Sequence, residues 1–392
     1  MKRFQITAGI LAGICLVFIG IFTLVQNSLG LRLDAQQVCA RWAADGTRYA
    51  QLSAFISPSA GIGEDSIRSM TTSFDSSYVE ASIDANENAR LYVYAYSGEA
   101  DVSISQINKE TGLTKKSGVS ATATGIGGDF FVFHRLKLLS GNYLDTSDTV
   151  LNDTILIDNN LAWQFFGSPD VAGQTLEING KTCYIAGVFE PDKAYEEFYG
   201  DKPRIFMSYS LLNDMSDLNI TCVETCMPDP VKNFAANIME KGISAPKEQI
   251  EIVENSSRFR DGSLFTRLRT FSKRSVRTKL VSYPYWENSA VILVDRAALL
   301  YVGKVIPIAI LVILAGTEIV LGYINRKKFY HFVGDHVSGW WDRVEQDRRR
   351  KRRERLESKA NAQLDAAKIA AISSPGEQIN IVESSETDTV KK

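Results

Sequence analysis

Two long, nearly uncharged stretches dictate most of what this chain can become. Residues 6–25 (ITAGILAGICLVFIGIFTLV) carry no charge, and residues 305–324 (VIPIAILVILAGTEIVLGYI) carry a single carboxylate, Glu318. A helix rises about 1.5 Å per residue, so either run reaches across a hydrocarbon core of roughly 30 Å. Lys2 and Arg3 precede the first run, as they would in a secretory signal. The run is longer than a usual signal core and no A-x-A-like site closes it, so it is read as an uncleaved anchor. The second run ends in Asn325-Arg326-Lys327-Lys328. Positive charge flanks the N-terminal end of one span and the C-terminal end of the other. The positive-inside rule therefore predicts a two-pass cell-membrane protein with both termini cytoplasmic and residues 26–304 extracytoplasmic.

Charge follows the same division. The 392 residues carry a formal net charge of −2, yet residues 325–392 hold 15 Lys/Arg against 11 Asp/Glu. Lys2 and Arg3 add to the basic side, which leaves residues 26–324 at −8. With 45% hydrophobic and 23% charged residues, the chain is neither a disordered polymer nor a collagen. Its balance does not fit a bulk nucleic-acid binder, and no nucleic-acid partner is expected. Glu318 admits two readings. It is an intramembrane carboxylate facing a partner helix or a wet cavity, or it lies near enough to the cytoplasmic end to snorkel into water. Gly9-x-x-x-Gly13 offers the first span a small-residue packing surface.

The outer region mixes helix and strand. Asp34 and Gly46 bracket a helix over residues 35–45, and residues 47–56 alternate as a half-buried strand with Ala50, Leu52, Ala54 and Ile56 on one side. Residues 91–96 (LYVYAY) and 154–157 read as strands, the latter followed by a helix through Leu161, Ala162, Phe165 and Phe166 that stops at Gly167. Leu161, Phe165 and Phe166 are expected in the core. Asn179-Gly180 lies between the apolar runs 175–178 and 182–188, the strongest short signal for a hairpin, because both residues accept positive φ. Residues 219–223, a helix from near Pro230 with Val231, Phe234, Ala235, Ile238 and Met239 on one face, and residues 249–253 form a strand–helix–strand run of βαβ or ferredoxin-like kind.

In order, Leu139-Ser-Gly-Asn-Tyr-Leu-Asp145, residues 158–167 (DNNLAWQFFG), Val171-Ala-Gly-Gln-Thr175, the Asn179-Gly180 hairpin and Ile185-Ala-Gly-Val188 resemble the periplasmic core domain of MacB-type ABC permeases. The likeness is clearest over residues 139–188 and looser over 26–300. Tyr283-Pro-Tyr-Trp-Glu-Asn288 is similar to a segment of a Gram-positive branch. The resemblance implies an α+β outer domain in which a split, porter-like α/β subdomain receives an inserted, mostly β subdomain, between two transmembrane helices. It further implies a domain that does no chemistry, binds cargo or an extracytoplasmic partner, and works with a separate ABC ATPase and further membrane subunits in a homo- or hetero-oligomer. The family pattern has three spans after the outer domain and this chain has one. The chain is thus expected to be a reduced half-permease or an accessory protein; the rival reading is a binding or sensory scaffold that transports nothing.

Catalytic signatures are missing from the sequence. There is no G-x-x-x-x-G-K-[ST], and Gly125-Ile-Gly-Gly128 lacks the strand–loop–helix context of a phosphate loop and reads as a connecting turn. His134 is the only outer histidine, which by itself makes neither a metal site nor a triad, and Glu196-Glu197 reads as a solvated loop. No cofactor or metal is expected, and the chain is not expected to be an enzyme. Cys39, Cys183, Cys222 and Cys226 lie in the outer region, enough for two disulfides in any of three connectivities; the alternative is buried apolar thiols.

Beyond the second span, residues 325–372 read as a basic juxtamembrane helix and 373–392 as a disordered tail. Phe329, Val333, Val337, Trp340 and Val344 share one helical face, suited with Trp341 to the membrane interface or to a partner subunit. Arg348, Arg349, Arg350, Lys351, Arg352 and Arg353 form a continuous cationic run that either attracts anionic inner-leaflet lipid or simply retains the topology.

Overall fold

The computed structural model describes residues 2–42, 48–83, 90–107, 114–145, 153–270, 281–324 and 326–372. They belong to two units, Met1–Leu311 and Val312–Lys392.

The first unit grows from an alternating strand, β1 (Tyr49–Ile56). Its Ala50, Leu52, Ala54 and Ile56 enter one apolar core, while alternation sends Gln51, Ser53 and Phe55 to the opposite face. The half-buried expectation needs correction, because every residue from Ala50 onward is buried. A second layer covers the polar face. β1 pairs antiparallel with both β9 (Cys222–Pro228) and β10 (Ile250–Glu254). β9 and β10 therefore run parallel with β1 between them, joined by α8 (Phe234–Gly242), which is a split βαβ unit. α8 and α3 (Glu64–Glu80) cover the apolar face through Ala235, Ile238 and Met239 and through Ile67, Met70, Phe74 and Tyr78.

β2 (Val93–Ile107) flanks β9 and passes into a long antiparallel pair with β3 (Thr114–Gly128). The chain then departs through β4 (Leu138–Gly141), β5 (Thr154–Asp158), β6 (Thr175–Ile178), β7 (Lys181–Phe189) and β8 (Arg204–Ser208) before returning to β9. This excursion continues the same sheet, in the order β10-β1-β9-β2-β3-β8-β5-β7-β4, with β6 pairing β2 and β7. The β6–β7 hairpin turns at Asn179 and Gly180, both at positive φ, as Asn-Gly predicts. α5 (Asn159–Phe166) starts where the Asp158 carboxylate accepts the Leu161 N–H at 2.6 Å and stops at Gly167 in the left-handed region. Leu161 and Phe165 are core, but Phe166, the last helical residue, is only partly buried.

Several local expectations shift. The strand expected over 219–223 begins at Cys222 and runs on to Pro228, since β1 and β2 pair with it on both sides. Cys222 and Cys226 thus share one face of a single strand. The following helix starts at Phe234, after Asn233 at φ 66°, so Val231 lies outside it and is exposed. Gly125 to Gly128 close β3 instead of forming a turn. The Tyr96 ring lies against Gly127, where a Cβ would come within 2.0 Å of Tyr96 Cζ. The helix expected over 35–45 is a 3-10 turn, Asp34–Gln36, followed by the short α2 (Val38–Trp42); Gly46 and Thr47 lie outside the described residues. Glu196 and Glu197 sit on a helix, α6 (Lys193–Tyr199).

Two helices are long and apolar enough to cross a membrane, α1 (Lys2–Leu31) and α10 (Tyr285–Ile324), and they flank the sheet in sequence. Both extend beyond their apolar runs on the domain side. There Leu29, Leu264, Val294, Ala297 and Ala298 form a small core with α9 (Asp261–Arg269). Gly303 of α10 meets Phe22 of α1, where a Cβ would stand 2.9 Å from the ring. A Cβ on Gly9 or Gly13 would meet nothing within 4 Å, so in this chain the close approach of the two helices is at Gly303.

The second unit holds the end of α10 and α11 (Arg326–Ile372). Residues 373–392 lie outside the described residues.

Candidate functional site

The covered polar face of β1 and β9 is where side-chain chemistry concentrates. Alternation aims Ser53 and Glu224, register partners on neighbouring strands, to the same side. A buried carboxylate on a central strand is unfavourable unless its oxygens are satisfied. The Ser53 hydroxyl donates to Glu224 Oε1 at 3.1 Å, and His134 Nε2 sits against Oε2. Asn255 Nδ2 donates to Ser53 Oγ at 2.7 Å. His134 directly follows α4 (Phe130–Phe133), and its ring is held between Phe130 and Trp286 with centroids 4.6 and 4.5 Å away.

The start of α10 closes this face. Tyr283 donates to Glu251 of β10 and packs its ring at a tilt against Phe55, centroids 5.2 Å apart. Arg204 is buried at the start of β8 with its guanidinium over the rings of Phe206, Tyr285 and Tyr195 at 4.3, 4.4 and 4.9 Å. A desolvated cation gains most from such faces. Glu287, one turn into the helix, pairs with Arg258. Burial pushes the Glu287 carboxyl above its ordinary value, and Arg258 pulls it back. Two further pairs fasten the base: Arg267 Nε to Asp295 at 2.8 Å and Lys304 Nζ to Asp261 at 2.6 Å. Gln26 of α1 donates to the same Asp261 at 3.1 Å. The hydrogen bond from Lys304 holds the Asp261 carboxyl below its ordinary range.

Between the sheet and α10 lies a cavity of about 470 Å³ with Ser53, His134, Glu224, Asn255 and Trp286 among its lining residues. Asn255 Oδ1 and Trp286 Nε1 are buried there with no protein partner among the described residues. The chemistry open to this cluster is limited. His134 meets Glu224 and not Ser53, so the three side chains do not form a serine–histidine–carboxylate relay. Among the described residues no group of three or more His, Cys, Asp or Glu could hold a metal ion. The arrangement is a polar joint that fixes one end of a membrane-length helix to a sheet.

The residues singled out from sequence fall elsewhere. Glu318 is half-buried on α10, six residues from its end. Trp340 and Trp341 are exposed on α11 with ring centroids 5.4 Å apart, and Val337 is exposed too. The side chains of Phe329 and Val333 lie outside the described residues. Arg348 to Arg353 are exposed, and three of the six cations form i,i+4 pairs: Arg349–Glu345, Arg350–Glu354 and Lys351–Asp347. The run is therefore partly neutralised on its own helix. Cys39, Cys183, Cys222 and Cys226 are free thiols, and Cys39 and Cys226 touch with sulfurs 3.1 Å apart. Sequence reasoning missed Glu224, Arg204, Ser53 and Asn255 and set His134 aside. The one available signal was the dense aromatic and charged segment Tyr283 to Asn288 before the second span.

Comparison with curated proteins returns no match. Among solved structures, the periplasmic region of MacB from Actinobacillus actinomycetemcomitans is 16% identical with a TM-score of 0.36, covering 53% of this chain and 89% of that one. The extracellular domain of the noncanonic ABC-type transporter YknZ from Gram-positive bacteria is 11% identical with a TM-score of 0.36, covering 52% and 99%. A domain of a putative permease protein from Porphyromonas gingivalis is 16% identical with a TM-score of 0.29, covering 53% and 89%. The family described as MacB-like periplasmic core domain matches residues 7–237, which include nearly all of the first span, the sheet through β9 and the Ser53–Glu224–His134 cluster but not α10. With more than half of its length matched, the chain belongs to the MacB-like periplasmic core domain family.

Proposed function

We propose that this chain is a non-catalytic membrane subunit of an ABC-type export or mechanotransmission system, with both termini cytoplasmic and the sheet domain outside. The observation that carries this reading is the junction at the start of α10. An unbroken helix leads from the apolar run into a docking site made of Arg204, Tyr285, Trp286 and the Arg258–Glu287 pair. Displacing such a helix moves the sheet with it, because the joint is desolvated and cross-braced instead of being a flexible linker. Two spans do not enclose a pathway, so the subunit works in a homo- or hetero-oligomer with a separate ABC ATPase and further membrane subunits, and the outer face binds cargo or an extracytoplasmic partner. Arg348 to Arg353, with Trp340 and Trp341 at the interface, hold the tail against anionic inner-leaflet lipid.

Affinity purification of the full chain from native membranes in mild detergent, with mass spectrometry of the co-purifying chains, tests the reading. A P-loop ATPase in stoichiometric amount is the expected result. Recovery of the chain alone, or with extracytoplasmic proteins only, would overturn the transport role and leave a scaffold.

A further inference from the structure

Four outer cysteines allow three pairings, and the fold separates them. Cys183, opposite Leu176 in the β6–β7 hairpin, packs in the larger apolar core, whereas Cys226 belongs to the second core on the other side of the sheet, with Cys39 against it. Cys222 shares the Cys226 face but stands four residues along the strand, about 13 Å away at 3.3 Å per residue. Cys39 sits in α2, the first helical turn after α1, and its Sγ is 3.1 Å from Cys226 Sγ. A disulfide needs sulfurs about 2.0 Å apart, a closure of about 1 Å that side-chain rotation of the half-buried Cys39 supplies.

We infer that Cys39 and Cys226 are a disulfide pair in the mature protein, and that the bond clasps the segment leaving the first span to the central strand of the outer sheet. The surroundings favour a clasp at this point. The Val38 N–H donates to Gln51 Oε1 at 3.1 Å, and Gln51 Nε2 donates back to the Ala35 carbonyl, so the β1 residue opposite Cys226 already holds the backbone just before Cys39. Oxidation requires an extracytoplasmic thiol–disulfide oxidoreductase as the two-electron acceptor. The Cys39 thiolate attacks the oxidant's disulfide, forming a mixed disulfide and releasing one oxidant thiol. Cys226, as thiolate, then attacks Cys39 Sγ, the mixed bond breaks, and the second oxidant thiol leaves. Both protons lost by the cysteines end on the reduced oxidant. Cys39 is the entry point, since it is partly exposed while Cys226 is fully buried. Contact with Cys39 and burial also push the Cys226 thiol well above its ordinary value.

The inference rests on the extracytoplasmic placement of the domain, so the experiment separates the two. Full-chain protein is isolated from membranes lysed in N-ethylmaleimide and mapped as peptides without reductant. The expected result is a Cys39–Cys226 cross-linked peptide, with Cys183 and Cys222 alkylated after denaturation. Maleimide on both Cys39 and Cys226, or a bond from either to another cysteine, overturns the pairing. A Glu80→Cys substitution in a Cys39→Ser/Cys226→Ser background, probed on intact cells with a membrane-impermeant maleimide, fixes the side of the membrane. Labelling there together with free thiols in the wild-type chain refutes the clasp while leaving the topology standing. Cys39→Ser alone is expected to melt at the temperature of the reduced wild-type protein, and Cys183→Ser to leave the cross-link intact.

Discussion

The two faces of the β1–β9 pair are built on opposite principles. Under α3 and α8 the sheet buries Leu52, Ile56, Phe74, Met227 and their neighbours, an apolar layer whose contacts are non-directional. Under α10 the same strands bury Ser53, Glu224, His134 and Asn255, where every group depends on a particular partner. The first face tolerates small adjustments and supplies stability. The second fixes the position of one helix, because a displaced partner leaves a buried charge or donor without its hydrogen bond.

Removing Phe74 breaks the apolar face most severely. Phe74→Ala empties a fully buried site and should cost about 3–5 kcal/mol. Scanning calorimetry should show a melting temperature lower by roughly 10 °C; a shift of a degree or two would contradict the packing described. On the polar face, Glu224→Leu should cost about 1–3 kcal/mol because His134 and Ser53 lose their acceptor. Here the comparison sharpens: the double substitution Glu224→Leu/His134→Leu should recover part of that loss, whereas two truncations under α3 should at best add. A strictly additive double variant would show that the pair is not coupled.

Arg204→Lys keeps the charge but loses the planar contact with Tyr285 and Phe206, a loss of about 1–2 kcal/mol. Hydrogen exchange should quicken at the start of α10 while α3 and α8 stay protected; uniform exchange across the sheet would mean that Arg204 serves the core and not the joint. The two carboxylates of the base respond to acid in opposite senses. The raised Glu287 pKa means that protonation relieves its burial, so its contribution to stability improves as pH falls through that raised value towards the ordinary 4.5. The lowered Asp261 pKa gives stability that is full above the ordinary 3.8 and lost as pH falls through the lowered value. Melting curves of Glu287→Gln and Asp261→Asn should flatten the mildly acidic and the strongly acidic limbs respectively, and exchanged effects would reverse both assignments. The smallest change is expected at the exposed tail pair: Arg350→Ala should leave the melting temperature unmoved and slightly weaken liposome binding at moderate salt.

What could be read in advance follows the range of the interaction. The Asn179-Gly180 hairpin, the Asp158 cap and the Gly167 stop are settled within a few residues, and they stand where the sequence puts them. The alternation of β1 is equally local, but whether its polar side meets water is not. Gln51, Ser53 and Glu224 look like a solvated face until α2, His134 and α10 are laid over them. Gly125, Gly127 and Gly128 misled for the same reason, since the atoms that crowd them belong to other segments: Leu218 and Leu212, Tyr96, and Tyr94 respectively.

The two apolar spans, the basic flanks, the α+β character of the region between them and its likeness to a MacB-type domain were legible in advance, because these rest on composition, period and short-range turn chemistry. It took the folded chain to bring Glu224 against a histidine 90 residues before it and a serine 171 residues before it, and to make the Tyr283 to Asn288 segment the dock for α10. The same holds for Cys39 and Cys226, 187 residues apart, whose contact singles out one pairing of three. Local pattern records which face a side chain takes. Which partner waits on that face depends on how distant segments cross the sheet, and no periodicity carries that information.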